Sequence, residues 1–167
     1  FLRDDNLRAV LVVRVESPRI AAEWNNNMQA FVEGLGQGIP VNISSDPRNE
    51  TRAWAEYNAG SGGKISLWPS PLGLAATFDP ELVEKFGRIA SAEYRALGIA
   101  TALSPQIDLA TEPRWNRFYG TFGEDPDLDT DMARAYIDGF QTSVGAAEIA
   151  DGWGYESVNA MVKHWPG

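Results

Sequence analysis

Cysteine is absent from these 167 residues and histidine occurs once, at His164. Without thiols there is no disulfide and no thiolate chemistry, and a single imidazole leaves the chain without the ligand set of a zinc site. No metal and no other cofactor is expected. Positive charge is scarce too: 14 lysines and arginines stand against 23 acidic residues, for a net charge of −9. The basic residues are scattered, so a polyanion or an anionic lipid surface would be repelled, and neither nucleic acid nor membrane is an expected partner. No apolar run approaches the roughly 20 residues of a membrane span. The chain opens on Phe1 without a basic and apolar leader, which implies that a leader was removed or that the chain begins partway through something. What it does have is 44% hydrophobic residues and 22% charged ones, enough for one packed core and too apolar for disorder.

Strands alternate with helices along the sequence. The β-branched run "LRAVLVVRV" over 7–15 reads as a buried strand, and the segment after it opens on Pro18 and closes among Gly34, Gly36 and Gly38, as a helix does. A second strand is expected over 39–46, followed by a glycine-rich irregular stretch from Pro47 to about Leu74. A connection of that length is functional or mobile rather than a simple link. Asp79 then caps a helix with Pro80 at its first position and Leu82, Val83, Phe86, Ile89, Ala90 and Leu97 along one face. The next strand is expected over 99–110. A second Asp-Pro start at Asp125 opens a helix that buries Leu128, Met132, Tyr136 and Phe140. A polar stretch leads to a last strand, "VNAMVKHW". This order predicts an α/β fold with parallel strands and outer helices, whose site gathers at the C-terminal strand ends.

Several motifs are decoys. The glycines of "GLGQGIP" precede a strand instead of opening a helix, so they fit a helix end and turn better than a dinucleotide fingerprint. In "NAGSGGKIS" an isoleucine follows the lysine where a phosphate loop needs Ser or Thr, which leaves a flexible loop. The triplets "NIS" at Asn42 and "NET" at Asn49 match a glycosylation acceptor by chance.

A constellation of polar groups remains after three of the four expected strands: Asp46 and Arg52, then Asp108, Arg114 and Arg117, then Lys163 with His164. Sugar hydroxyls both donate and accept, and charge-assisted bonds hold them best. Asp46 would accept from two hydroxyls, Arg117, Lys163 and His164 would donate, and Trp115 and Trp165 would offer apolar faces. Simpler readings stand beside this one. Arg114 suits a salt bridge with Glu112 or Asp108 as well as a ligand. Asp108 suits bracing of its loop, and a lone histidine at a strand end is often a satisfied core residue.

The joint pattern resembles the N-terminal barrel domain of glycoside hydrolase family 3, of the β-glucosidase and exo-β-glucanase type. The resemblance rests on "PQIDLATEPRWNRFYGTFGEDPDL", on the downstream "VKHWPG", and on the upstream "SPLGLAATFDPELVEKFGRIASAEYRALGI". It implies the N-terminal half of a (β/α)8 TIM-like barrel occupying residues 1–167, truncated before the strand that carries the nucleophile. It implies a retaining β-glycosidase releasing glucose from nonreducing ends of β-glucosides or β-glucans. Asp46, Arg52, Arg117, Lys163 and His164 match family positions that hold the sugar; Asp108, Arg114 and Trp115 match positions assigned to bracing the loop. Such an enzyme needs two carboxylates about 5–5.5 Å apart, and the resemblance places both beyond this chain, so no catalytic residue is expected within it. Its partners would be a β-linked glucoside or oligosaccharide and the remainder of the same enzyme, the rest of the barrel and a following domain. Family habit favours an extracellular or periplasmic location. Departures from the pattern include Asn116 for glycine, Gly120 for a glutamate, and "DPRNETR" without His-Gly. The alternatives are the β-N-acetylglucosaminidase branch of the family and a noncatalytic carbohydrate-binding domain.

Overall fold

The structure, a computed structural model, describes residues 1–46, 49–50, 64–142, 148–150 and 152–165. Its elements run β1 (Ala9–Leu11), α1 (Pro18–Glu33), β2 (Asn42–Ser45), α2 (Pro71–Ala75), α3 (Pro80–Ala96), β3 (Thr101–Ala102), a 3-10 turn (Phe118–Gly120), α4 (Pro126–Gln141), β4 (Glu148–Ala150), β5 (Trp153–Gly154) and β6 (Asn159–Ala160). Four strands form one parallel sheet in the order β1-β2-β3-β6. Each strand lies beside its predecessor in the sheet after a helical crossover, which is the singly wound order of a (β/α) barrel.

Local chemistry sets the helix ends. Ser17, Ser70, Asp79 and Asp125 each accept a backbone N–H of the first turn that follows, and each precedes a proline. The long upstream helix motif is two helices: after α2 the chain passes through Phe78 at a φ of 53°, and the Asp79 cap restarts it. The polar stretch before the last strand holds a further difference, the antiparallel pair β4-β5. The strands are shorter than their β-branched runs, because a ladder extends only as far as its partner does.

Helices cover one face of the sheet. Along β1 and just past it Val10 packs against the core and Val12 is buried while Leu11 and Val13 are about two-fifths exposed, so alternate side chains point into the helical layer; Val15, beyond the strand, joins the same core. There Ile43, Ile99, Ala102 and Val158 meet Val83, Phe86, Ala90 and Tyr94 of α3 and Met132, Tyr136 and Phe140 of α4. Tyr136 stacks on Phe140 with ring centroids 4.7 Å apart. The opposite face carries Leu11, Val13 and Met161, all exposed, and a polar row in which the Thr101 hydroxyl donates to Asn42 Oδ1 at 2.8 Å.

A polar knot closes the base of the long loop after β2. Glu93 of α3 accepts from the Ser66 N–H and hydroxyl, both at 2.8 Å, and from the Asn49 amide. Asn49 is 2% exposed, which leaves no room for a glycan on "NET". Residues 51–63, with Arg52 and most of "NAGSGGKIS", lie outside the described residues.

Candidate functional site

Polar groups converge at the C-terminal edge of the sheet. Asp46 directly follows β2 and Lys163 lies three residues beyond β6, and their side chains form an ion pair with both partners mostly buried. Two core tyrosines steady the strand ends behind them: the Tyr94 hydroxyl donates to the Asp46 carbonyl at 2.7 Å, and the Tyr136 hydroxyl bonds Ser104 Oγ at 2.7 Å. Burial pushes the Tyr136 hydroxyl well above its ordinary range against the opposing pull of the Ser104 hydrogen bond, so it stays a neutral strut.

The chain after β3 resumes pairing with the last strand. Ile107 N–H donates to the Lys163 carbonyl at 2.8 Å and Lys163 N–H donates to the Pro105 carbonyl at 3.0 Å. The Ser104–Pro105 and Lys163–His164 peptides are both cis. Beside this ladder His164 Nδ1 lies 3.0 Å from Asp108 Oδ2, and its Nε2 lies 3.3 Å from Arg117 Nη1. Asp108 thus contacts the histidine. Arg114 is exposed and turned onto Glu112, with Nε at 2.8 Å from Oε1 and Nη2 at 2.7 Å from Oε2. Of the two salt-bridge partners open to it, it takes Glu112, and the pairing holds the Glu112 carboxyl well below its usual range. Trp115 sits half-buried in the same turn, while Trp165 is 84% exposed.

Asp46, Lys163, His164, Arg117 and Asp108 are therefore brought together; Arg114 and Trp115 stand apart, and Arg52 lies outside the described residues. Two further residues join the cluster. Gln106 is buried and its Oε1 accepts from Arg117 Nη2 at 3.2 Å. Its signal in the sequence was a polar residue two before Asp108, on the same strand face. Glu50 is the second: its carboxyl rises to about 7 because burial outweighs the favourable charge of Lys163. Among the described residues no group of three or more His, Cys, Asp or Glu could hold a metal.

Asp129, in the first turn of α4, is buried with Oδ1 unpartnered. Burial lifts its carboxyl from 3.8 to about 6; the Phe122 N–H opposes this and the Asp108 charge adds to it. Between those two values the folded state holds a proton that the unfolded state has released, so stability falls as pH rises and the loss is complete above the upper value. Asp129→Asn is expected to match the parent near pH 3.5 and to exceed it by on the order of 1 kcal/mol near pH 7. Thermal unfolding across that range checks this; a parallel pair of curves would place the lifted carboxyl elsewhere.

The model of the glycosyl hydrolase family 3 N-terminal domain matches residues 4–167. A periplasmic beta-glucosidase/beta-xylosidase of Dickeya chrysanthemi is 49% identical over 152 residues, 91% of this chain and 22% of that protein. The crystal structure of a beta-glucosidase from Listeria innocua in complex with isofagomine superposes with a TM-score of 0.71 at 28% identity, covering 96% of this chain and 19% of the other. A family 3 beta-N-acetylglucosaminidase from Paenibacillus superposes at 0.78 with 22% identity, covering 99% of this chain and 28% of that one, a likeness of fold alone. The chain thus spans about a fifth of the length of the first two relatives, and its parallel sheet with outer helices is the barrel-type fold of such neighbours.

Proposed function

The chain belongs to glycosyl hydrolase family 3, and on that premise we propose that it forms the sugar-holding half of a retaining β-glycosidase site. The whole protein would release glucose from nonreducing ends of β-glucosides or β-glucans. The observation that carries this is the convergence of Asp46, Lys163, Arg117 and His164, drawn from three strand ends, on one edge of the sheet. Two strong donors and an ionised acceptor on rigid strand ends suit a ring of hydroxyls, and the ion pair keeps both charges in place until a sugar shares them.

The nucleophile and the acid/base would lie in the part of the enzyme outside these residues. Support comes from the sheet itself: one face is exposed and carries Leu11, Val13 and Met161, as the inner wall of an incomplete barrel would be. The domain reading follows, with residues 1–167 as the first half of the barrel and the rest of the enzyme closing it. Arg52 would join the sugar subsite, and Arg114 and Trp115 would shape the loop in front of it. A periplasmic or extracellular setting is part of the proposal, supported by the Dickeya relative being a periplasmic enzyme. Among the described residues no helix is long and apolar enough to cross a membrane.

The test is hydrolysis of 4-nitrophenyl β-d-glucoside by the protein with its complete coding sequence, the anomer of the first product being read by NMR. Release of the β-anomer is expected. No turnover alongside retained glucose binding in calorimetry would make the protein a binding module, and turnover of the N-acetylglucosaminide alone would move it to the amino-sugar branch.

A further inference from the structure

We propose that His164 is held as the Nδ1–H tautomer with Nε2 as a hydrogen-bond acceptor, and that Gln106 is the positioning residue that fixes this polarity through Arg117. The proposal deepens the sugar-holding reading and rests on it for its kinetic consequences.

The argument is one of donors and acceptors. A guanidinium has five N–H groups and no acceptor. Arg117 Nη1 lies 3.3 Å from His164 Nε2, so that nitrogen presents its lone pair. A carboxylate accepts and does not donate, and Asp108 Oδ2 lies 3.0 Å from Nδ1, so Nδ1 carries the hydrogen. One neutral tautomer meets both demands. A hydrogen on Nε2 would set N–H against N–H.

Asp108 holds the hydrogen on Nδ1, but the acceptor role of Nε2 rests on Arg117 staying in place, and its side chain is exposed. Among the described residues no carboxylate forms an ion pair with it. Gln106 supplies the hold. Its Oε1 accepts from Nη2 at 3.2 Å, and its Nε2 stands 3.5 Å from the Arg117 carbonyl, at the limit of a useful bond. Gln106 is 6% exposed and its backbone bridges Lys163, so the amide is fixed relative to the segment that bears His164. Room for it comes from Gly120: a Cβ there would lie 3.0 Å from Gln106 Oε1. Hydrogen bonds therefore run outward from Arg117, to Gln106 on one side and to His164 on the other, and onward from His164 to Asp108.

For a ligand the consequence is a sorted set of partners. Arg117 and Lys163 donate and Asp46 accepts, while the one lone pair of His164 Nε2 is taken by Arg117 Nη1. A sugar hydroxyl takes a proton from the remaining N–H groups of Arg117, and one that displaces Arg117 from His164 Nε2 must give its proton there.

The experiment uses the full-length protein with ¹⁵N-labelled histidine, the His164 signals being assigned by their loss in His164→Asn. Long-range ¹H–¹⁵N spectra are expected to show a protonated Nδ1 and an unprotonated Nε2. Gln106→Leu is expected to blur that signature and to lower kcat/KM about tenfold, the worth of one good hydrogen bond. Gln106→Glu keeps an acceptor opposite Nη2 and is expected to restore both the spectrum and, within about twofold, the rate. A parent spectrum with hydrogen on Nε2 overturns the proposal. So does Gln106→Leu losing thermal stability with an unchanged His164 spectrum, since Gln106 would then only pack. Should Gln106→Leu not fold, the parent spectrum and Gln106→Glu decide alone: a Glu variant whose His164 signals move to the other tautomer overturns the role of Gln106. Absence of any glycoside hydrolysis in the parent would defeat the sugar reading and leave the tautomer result standing.

Discussion

Asp46→Ala in the full-length protein is expected to lower kcat/KM for an aryl β-glucoside by about 10³-fold, the loss of two charge-assisted hydrogen bonds. The effect is large because the carboxylate has a second task. Its ion pair with Lys163 is mostly shielded from water, and removing one partner leaves the ammonium without its counter-charge in a site built around the pair. Asp46→Asn keeps the shape and removes the charge, so its loss is expected to be smaller, about 10². Steady-state kinetics with a circular dichroism check on folding separates a damaged site from a damaged fold. A folded alanine variant within tenfold of the parent would remove Asp46 from the sugar subsite.

The largest effect on stability is expected from Gly139→Val. Helices α3 and α4 meet at two glycines: a Cβ at 139 would lie 2.4 Å from the Glu84 carbonyl oxygen and 2.8 Å from Gly87 Cα, and a Cβ at 87 would lie 2.9 Å from Gly139 Cα. Those neighbours are backbone and cannot rotate away. A glycine within a helix costs about 1 kcal/mol relative to alanine, and here that cost permits close approach, with the Tyr136 and Phe140 rings packed on the same helix. Valine would force the helices apart and loosen that stack, for an expected loss of about 3 kcal/mol; alanine should lose less. Thermal unfolding measures both. A rise in Tm for either variant would mean that the contact is not a constraint.

Much of the fold was legible. The two Asp-Pro starts lead to helices at Pro80–Ala96 and Pro126–Gln141, because a cap and a proline define the first turn without help from elsewhere. The parallel order was legible for a similar reason, since alternating elements with helical crossovers leave few topologies. Strand limits were not: the 7–15 run pairs only over Ala9–Leu11, since pairing belongs to two chains and a β-branched run speaks for one. The contact between Gly87 and Gly139 escaped notice because each glycine looks like a blemish in its own helix and makes sense only against the other. At the site, Asp46, Lys163, Arg117 and His164 were legible as polar groups at strand ends. Gln106 carries only a weak signal, a polar residue two before Asp108, and an uncharged amide there has no evident role until its acceptor faces a guanidinium.

Tyr94 and Tyr136 belong to the buried helical layer, yet each hydroxyl ends on the segment just behind the site, one on Asp46 and one on Ser104. Packing and function therefore share two atoms. A redesign of the α3–α4 interior that replaced both tyrosines by phenylalanine would conserve volume, shape and hydrophobicity and would pass as a faithful copy of the core. It would also cut the two tie-rods that set the height of the strand ends, so the ligand would meet a floor free to drift. Tolerance to mutation in this layer is thus split within single side chains: the rings answer to the fold, and the last oxygen of each answers to the ligand.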